Sequence, residues 1–590
     1  MTQTAALMGQ LIDTKTSTVP MIETASFKPE YDFEIHSERL ERCRPEDEGI
    51  SSLLVADFLE KMRSDRTLKM HGITIARNGR ILCEAAFGSQ RIDIWKHAFS
   101  ASKSVVSLAI GILIDDGVLA LDERIVAIFK DEANPVARLK LKELCVEDLL
   151  TMRSTVLFAE ADSMTDADWV RAFLSSPTKG EIGETFRYNS LNTYMLSAIV
   201  TKKTGKTLSE FLKERLFEPL GIRDFFWETC PKGIDIGGWG LYIRPEDFVK
   251  IATLVVNHGE YNGKRIVSEE YMSLATMKHV DIDWESDRFD YGYQIWVGKD
   301  SKTYLFNGML GQNVLCFKDS GVVIVSNAGN SDMFQQSRFF EYADEYFNRD
   351  FPEILEADKA AYQALNDKIN ELSWYKTANQ KPFFKRLVSL FSAESENAPF
   401  ELLVGKEYIV KEGQGKAIGV LPLVVQSVEN CYSKGFVGMS FMRDENGEPV
   451  MLYKEKESEI SVRLGFDTPK VFNIKYRGEN FLVSCKAKFT KSEDDEPVLV
   501  IRLDLIETPS SRIIKIFFYG EEKIIVEQTE SPGADFMQGL TEMIITQMVD
   551  NPIIGAVYEK FGAELIENKI EKTFNSRLVL ELKHTKNPTA

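Results

Sequence analysis

His97-Ala98-Phe99-Ser100-Ala101-Ser102-Lys103-Ser104-Val105-Val106-Ser107-Leu108-Ala109-Ile110-Gly111-Ile112-Leu113-Ile114-Asp115-Asp116-Gly117 decides the fold of this chain. Val105, Leu108, Ala109, Ile112 and Leu113 recur at helical spacing and Gly117 suits a C-terminal cap, so a helix is expected over 100–116. Ser100 opens it, where unpaired backbone N–H groups and the helix dipole favour developing negative charge. Lys103 lies one turn on, on the same face, which sets an amine beside a hydroxyl. Alone, Ser-x-x-Lys occurs by chance about once or more in a chain of this size, and a Ser cap followed by a solvated Lys would read the same way. With Asp115 and Asp116 at its end, the segment is too short and too charged to span a bilayer.

Upstream, Ile73 and Ile75, then Ile81 and Cys83, alternate around Asn78-Gly79, a hairpin signal that needs φ > 0 at both turn residues. Downstream, helices are expected at 146–152, 193–203, 208–216 and 245–257, strands at 304–306, 314–317 and 322–326, and a helix at 333–346. Strands first, helices in the middle, then strands and a helix predict an α+β domain in which both ends feed one sheet. Residues 1–40 read as a polar N-terminal arm, 41–350 as that domain, 351–399 as a charged helical connector, and 400–590 as a mostly-β accessory domain with a helix at 535–548.

The whole chain agrees with such an organisation. Its 590 residues exceed one domain, and 44% hydrophobic with 27% charged residues describe a soluble globular protein. A formal charge of −19, with no basic stripe, argues against a protein that lives on nucleic acid or on an anionic membrane. Seven scattered cysteines without a Cys-x-x-Cys pair suit reduced thiols, and six histidines show no metal-like spacing, so neither zinc nor another cofactor is expected. The first twenty residues lack a basic start and an apolar core, and a cytoplasmic location is expected.

Two further motifs bear on the chemistry. Phe186-Arg187-Tyr188-Asn189-Ser190-Leu191-Asn192 follows an acidic, Gly-containing loop and precedes a helix, and Phe306-Asn307-Gly308-Met309-Leu310-Gly311-Gln312 lies on a strand entering a Gly-rich turn. In this order and spacing, over roughly 45–345, the three motifs resemble the serine β-lactamase-like hydrolases, the superfamily of class C β-lactamases, penicillin-binding proteins, esterases and nylon-oligomer hydrolases. Arg44-Pro45-Glu46, Val146-Glu147-Asp148-Leu149-Leu150, Phe217-Glu218-Pro219-Leu220-Gly221, Gly237-Gly238-Trp239-Gly240 and Tyr291-Gly292-Tyr293 match the family's segments between motifs.

The resemblance implies a β-lactamase/transpeptidase-like fold, an antiparallel sheet flanked by helices plus a helical subdomain. It implies Ser100 as acylated nucleophile, Lys103 as a neutral amine and Tyr188 as its proton partner, with lysine or tyrosine as acylation base left open. The N–H groups of Ser100 and Met309 would form the oxyanion hole, and Ser190, Asn192, Gly238, Trp239, Asn307 and Gly308 would line the substrate site. Where β-lactamases and penicillin-binding proteins place Lys-Thr-Gly or His-x-Gly, this chain has Phe306-Asn307-Gly308, with no cation for a substrate carboxylate. Ser190 also replaces the Asn of the class C second motif, leaving Asn189 or Asn192 as substitutes. The expected activity is therefore a serine hydrolase on a small ester or amide. An acyltransferase, a peptide cyclase or a non-catalytic binding protein on the same fold are the alternatives, and self-association stays open. Some relatives carry a β-barrel appendage, which 400–590 resembles at the level of many short strands.

Lys203-Thr204-Gly205 and His258-Gly259 mimic the third motif but end helices, where glycine caps. Gly438-Met439-Ser440 lacks the second Gly of a nucleophile elbow. His97 reads as a structural or pocket-lining residue, Trp239 and Trp296 as core or pocket wall.

Overall fold

Asn78 and Gly79 take φ of 51° and 77° and turn β1 (Met70–Arg77) back into β2 (Arg80–Ala86), the hairpin expected from the sequence. The computed structural model describes residues 22, 25–158, 160–283, 288–331, 337–375, 399–412, 419–533, 536 and 574–583. These fall into two units, Ile22–Phe87 with Arg91–Leu372, and Gly88–Gln90 with the residues from Ser373 on.

In the first unit β3 (Lys96–His97), β4 (Phe225–Trp227) and β5 (Leu241–Ile243) make a small sheet, and β6 (Glu260–Tyr261) and β7 (Lys264–Arg265) a short hairpin. β8 (Phe289–Tyr291), β9 (Trp296–Gly298), β10 (Thr303–Gly308), β11 (Gln312–Phe317) and β12 (Val322–Ala328) complete a seven-stranded antiparallel sheet in the order β2-β1-β12-β11-β10-β9-β8. Both ends of the unit enter it, as expected. Its strands are buried along most of their length because both faces are covered. Leu315, Phe317, Val322 and Ile324 pack with the Ser52–Ser64 and Arg338–Phe347 helices, while Val314, Cys316, Val323 and Val325 join the core around the Ser102–Asp115 helix.

Every residue of that helix from Ser102 to Leu113 is buried. Apolar residues surround it, which makes it a central helix rather than a surface one. Leu108→Ala, at a fully buried position, is expected to cost about 2–5 kcal/mol of stability, read as a lowered urea midpoint.

Several boundaries differ from expectation. The central helix is preceded by a 3₁₀ turn, Phe99–Ala101, so Ser100 sits just ahead of the helix proper. The helix expected from 193 runs Ser190–Thr204, because Asn189 caps it and the second motif itself opens it. The helix at 333–346 is observed as Arg338–Phe347, and 332–336 lie outside the described residues. The connector expected at 351–399 is, in its first part, a packed helix, Lys359–Leu372. Ala361, Leu365 and Leu372 are buried there, and Lys368 and Glu371 pair with Glu60 and Arg63 of Ser52–Ser64. The first unit thus reaches Leu372 rather than 350. The arm expected over 1–40 is also packed where it is described: Lys28 lies over the Tyr242 ring, Tyr31 donates to the Asp93 carbonyl, and Ser37 Oγ accepts from the Arg223 and Asp224 N–H groups.

The second unit is mostly β, as expected. β13 (Glu407–Val410), β14 (Phe436–Arg443), β15 (Pro449–Glu455), β16 (Glu459–Arg463), β17 (Lys470–Tyr476), β18 (Glu479–Lys491), β19 (Pro497–Leu505), β20 (Ser511–Tyr519), β21 (Lys523–Ser531) and β22 (Ser576–Leu582) form one antiparallel sheet. Its order, β16-β15-β14-β13-β22-β21-β20-β19-β18-β17, brings the end strands β16 and β17 close, in a nearly closed barrel. Alternate residues such as Met451, Tyr453, Ile501, Ile514 and Val526 fill its core. At one end Glu455 accepts from Tyr476, Ser433 and the Val420 N–H, and Arg512 pairs with Glu530 at 3.0 Å, so these buried charges are satisfied. The helix expected at 535–548 lies outside the described residues but for Phe536. All seven cysteines are free thiols, and among the described residues no helix is long and apolar enough to cross a membrane.

Candidate active site

Ser100 is carried on a strained turn. Phe99, immediately before it, has φ of 47°, a conformation that bulky residues rarely adopt. Packing holds it: the Phe99 ring lies 4.0 Å from that of His97, which stacks on Tyr242 at 4.6 Å. Ser102 Oγ donates to the Phe99 carbonyl at 2.6 Å, and the Ala98 N–H bonds to Leu241 on β5. His97 is thus a buried structural residue, its imidazole pushed down to about 3 by burial and by Lys28.

Lys103 is 1% exposed, and its Nζ stands 2.7 Å from Ser100 Oγ, 2.9 Å from Ser190 Oγ and 2.7 Å from the Gly238 carbonyl. The carbonyl can only accept, which fixes one N–H of the amine. Burial pushes the amine down to about 7, against the Glu160 carboxylate, which raises it. Tyr188 places its ring centroid 5.0 Å from Lys103 Nζ, and its hydroxyl is hydrogen-bonded to Ser100. The ring stacks on Trp296 at 5.8 Å and meets Tyr291 edge-on at 6.2 Å. Burial raises the phenol well above its ordinary value despite the Ser100 hydrogen bond, so it stays neutral.

Two glycines permit this assembly. A Cβ on Gly238 would lie 2.6 Å from the Ser190 carbonyl oxygen, and one on Gly308 would lie 2.4 Å from that of Ala98. The end of β10 thereby comes against the turn that carries Ser100. Leu310 at φ 64° and Gly311 at φ 91° then return the chain to β11, with Met309 opening the bend.

Residues 60–344 match the family model for Beta-lactamase. Residues 60–344 are a beta-lactamase-family domain. Solved structures similar to the chain include a hydrolase with promiscuous acyltransferase activity, EstCE1 (15% identity, 50% of this chain, 99% of that one, TM-score 0.43). A family VIII carboxylesterase aligns at 16% identity over 52% of this chain and 100% of its own, with a TM-score of 0.41. The D-amino acid amidase of Ochrobactrum anthropi SV3 aligns at 18% identity over 50% and 97%, with a TM-score of 0.40. Comparison with curated proteins gives no match.

In the beta-lactamase domain, Ser100, Lys103, Tyr188, Ser190 and Gly238 come together. The amides of Asn192 and Asn307 do not join them. Asn192 is fully buried, accepting from Ser154 Oγ at 2.5 Å and donating to Met152 Sδ, and Asn307 donates to Asn313 Oδ1 at 2.8 Å. Asn189, the other substitute, is spent as a cap and on the Val156 and Phe158 carbonyls. Trp239 is half-buried beside Trp169, with 5.8 Å between ring centroids. Lys203-Thr204-Gly205 is a helix end, with Gly205 at φ 73° and Lys203 paired to Glu123.

Three features escaped the sequence. Phe99 strain and the Gly238 carbonyl are backbone properties, and Glu160, which accepts from the Ser190 N–H at 3.1 Å, is one of several acids in its stretch, with no motif around it. Elsewhere, Asp32, Glu34 and His36 bring three ligand atoms within 4.8 Å of one another, all on exposed side chains.

Proposed function

We propose that the beta-lactamase domain is a serine hydrolase that acts on small esters or amides through an acyl-enzyme on Ser100. The observation that carries this reading is the buried Lys103 amine 2.7 Å from Ser100 Oγ, lowered to about 7 where an ordinary lysine would be protonated. Ser100 Oγ attacks the carbonyl carbon while its proton passes to Lys103 Nζ. The carbonyl electrons move onto oxygen, where the N–H groups of Ser100 and Met309 receive them. The leaving group departs with a proton delivered through Lys103 and Tyr188, and water then resolves the acyl-enzyme by the same steps.

Lysine serves as the base in this scheme, because burial lowers the amine and raises the phenol. Tyr188 stays protonated and relays. The choice of esters and amides over carboxylate-bearing β-lactams follows from the third strand, where Phe306 stands in the cation's place and the amide of the next residue, Asn307, is bonded to Asn313.

A fluorophosphonate probe tests the reading. Wild type is expected to gain one covalent adduct, mapped to Ser100 by peptide mass, and Ser100→Ala none. Absence of an adduct on folded wild type would favour a non-catalytic binding protein.

A further inference from the structure

Glu160 opens the short helix Glu160–Ser163 and accepts from the backbone N–H of Ser190, whose Oγ stands 2.9 Å from Lys103 Nζ. The carboxylate is half-buried, and its field acts on Lys103 and Tyr188 together. The first turns of the helices that carry Lys103 and Ser190 hold no acidic residue. Lys103 is otherwise faced by the Ser100 and Ser190 hydroxyls, the Gly238 carbonyl and the neutral Tyr188 ring, with Tyr291, also kept neutral by burial, behind that ring. Among the described residues, Glu160 is the one whose charge bears on the amine.

The chemistry creates a need for that charge. As the Ser100 O–H bond breaks and its electron pair forms the bond to the carbonyl carbon, the proton reaches Lys103 Nζ and leaves a buried ammonium. Dipoles alone compensate a buried cation poorly, and an opposite charge offsets its desolvation. We propose that Glu160 is the positioning residue and counter-charge of Lys103, holding Ser190 by its backbone N–H and balancing the ammonium that forms when Lys103 takes the Ser100 proton. This rests on the serine-hydrolase reading and adds to it a residue outside the three motifs.

The test is Glu160→Gln, which keeps size and a hydrogen-bond acceptor for Ser190 and removes the charge. The rate of Ser100 acylation by p-nitrophenyl acetate is followed against pH. Loss of the carboxylate makes the amine easier to deprotonate, so the acid limb should move to lower pH by about half a unit or more. The plateau should fall at least about threefold, because the ammonium loses its partner. Glu160→Asp, which keeps the charge, should leave the acid limb where it is in wild type. Fluorophosphonate labelling of Ser100 in both variants shows that the site is assembled. A limb that stays in place in Glu160→Gln, whatever the plateau does, would reduce Glu160 to a structural acceptor and overturn the proposal. Failure of wild type to acylate removes the hydrolase reading and this one with it, whereas acylation with an unmoved limb removes this one alone.

Discussion

Lys103→Met is expected to lower the rate at which a p-nitrophenyl ester acylates Ser100 by about 10²- to 10⁴-fold, the range typical for loss of a positioned general base. Among the described residues, Ser100 has no other neutral amine or imidazole at hand: His97 is buried against Phe99 and Tyr242, and Tyr188 holds its proton. The same substitution should not unfold the protein. The amine is lowered to about 7 in the folded chain against an ordinary lysine value of 10.5. Below about pH 7 the buried lysine is therefore protonated in both states and its desolvation opposes folding in full, and the opposition fades as pH rises toward 10.5. Methionine fits a similar volume without the charge, so Lys103→Met is expected to unfold at a higher temperature than wild type at pH 6, with the gain shrinking at pH 10. Thermal unfolding at the two pH values beside stopped-flow acylation separates lost chemistry from lost structure. An inactive variant of equal or greater stability is the expected result.

Gly308→Ala is expected to lower kcat by about 10²- to 10³-fold with little change in KM, the signature of a lost oxyanion donor. The added Cβ would lie 2.4 Å from the Ala98 carbonyl oxygen and 2.7 Å from that of Gln312. Both are backbone atoms that cannot swing aside. The end of β10 would have to back away from the Phe99–Ala101 turn and take the Met309 N–H with it. Steady-state kinetics on a p-nitrophenyl ester, with an unfolding midpoint as control, checks this. A kcat within about threefold of wild type would deny the Met309 N–H a place in the oxyanion hole.

The lysine and the serine were legible because their relation is local: a spacing of three residues at a helix start fixes the geometry before any tertiary contact forms. The hairpin at Asn78-Gly79 and the apolar run from Val105 to Leu113 were legible for the same reason. Direction of side chains was not. Asn192 and Asn307 have residue types suited to binding a substrate, but the fold turns their amides toward Ser154, Met152 and Asn313. Glu160 was invisible because its significance depends on the backbone of Ser190, thirty residues away. The charged pattern of Lys359–Leu372 suggested a connector, since a sequence shows that a helix has an apolar face but not that Ser52–Ser64 waits to cover it. Strain at Phe99 leaves no mark on composition at all.

Single-turnover acylation of Ser100, followed by p-nitrophenolate release from about pH 5 to 9, measures the protonation of the base directly. The rate should climb with pH through an apparent pKa of about 7, the value at which the buried Lys103 amine becomes neutral, and Lys103→Met should lose that limb. A wild-type rate that is flat across the range, or a limb that persists without Lys103, would contradict activation of the serine by this amine.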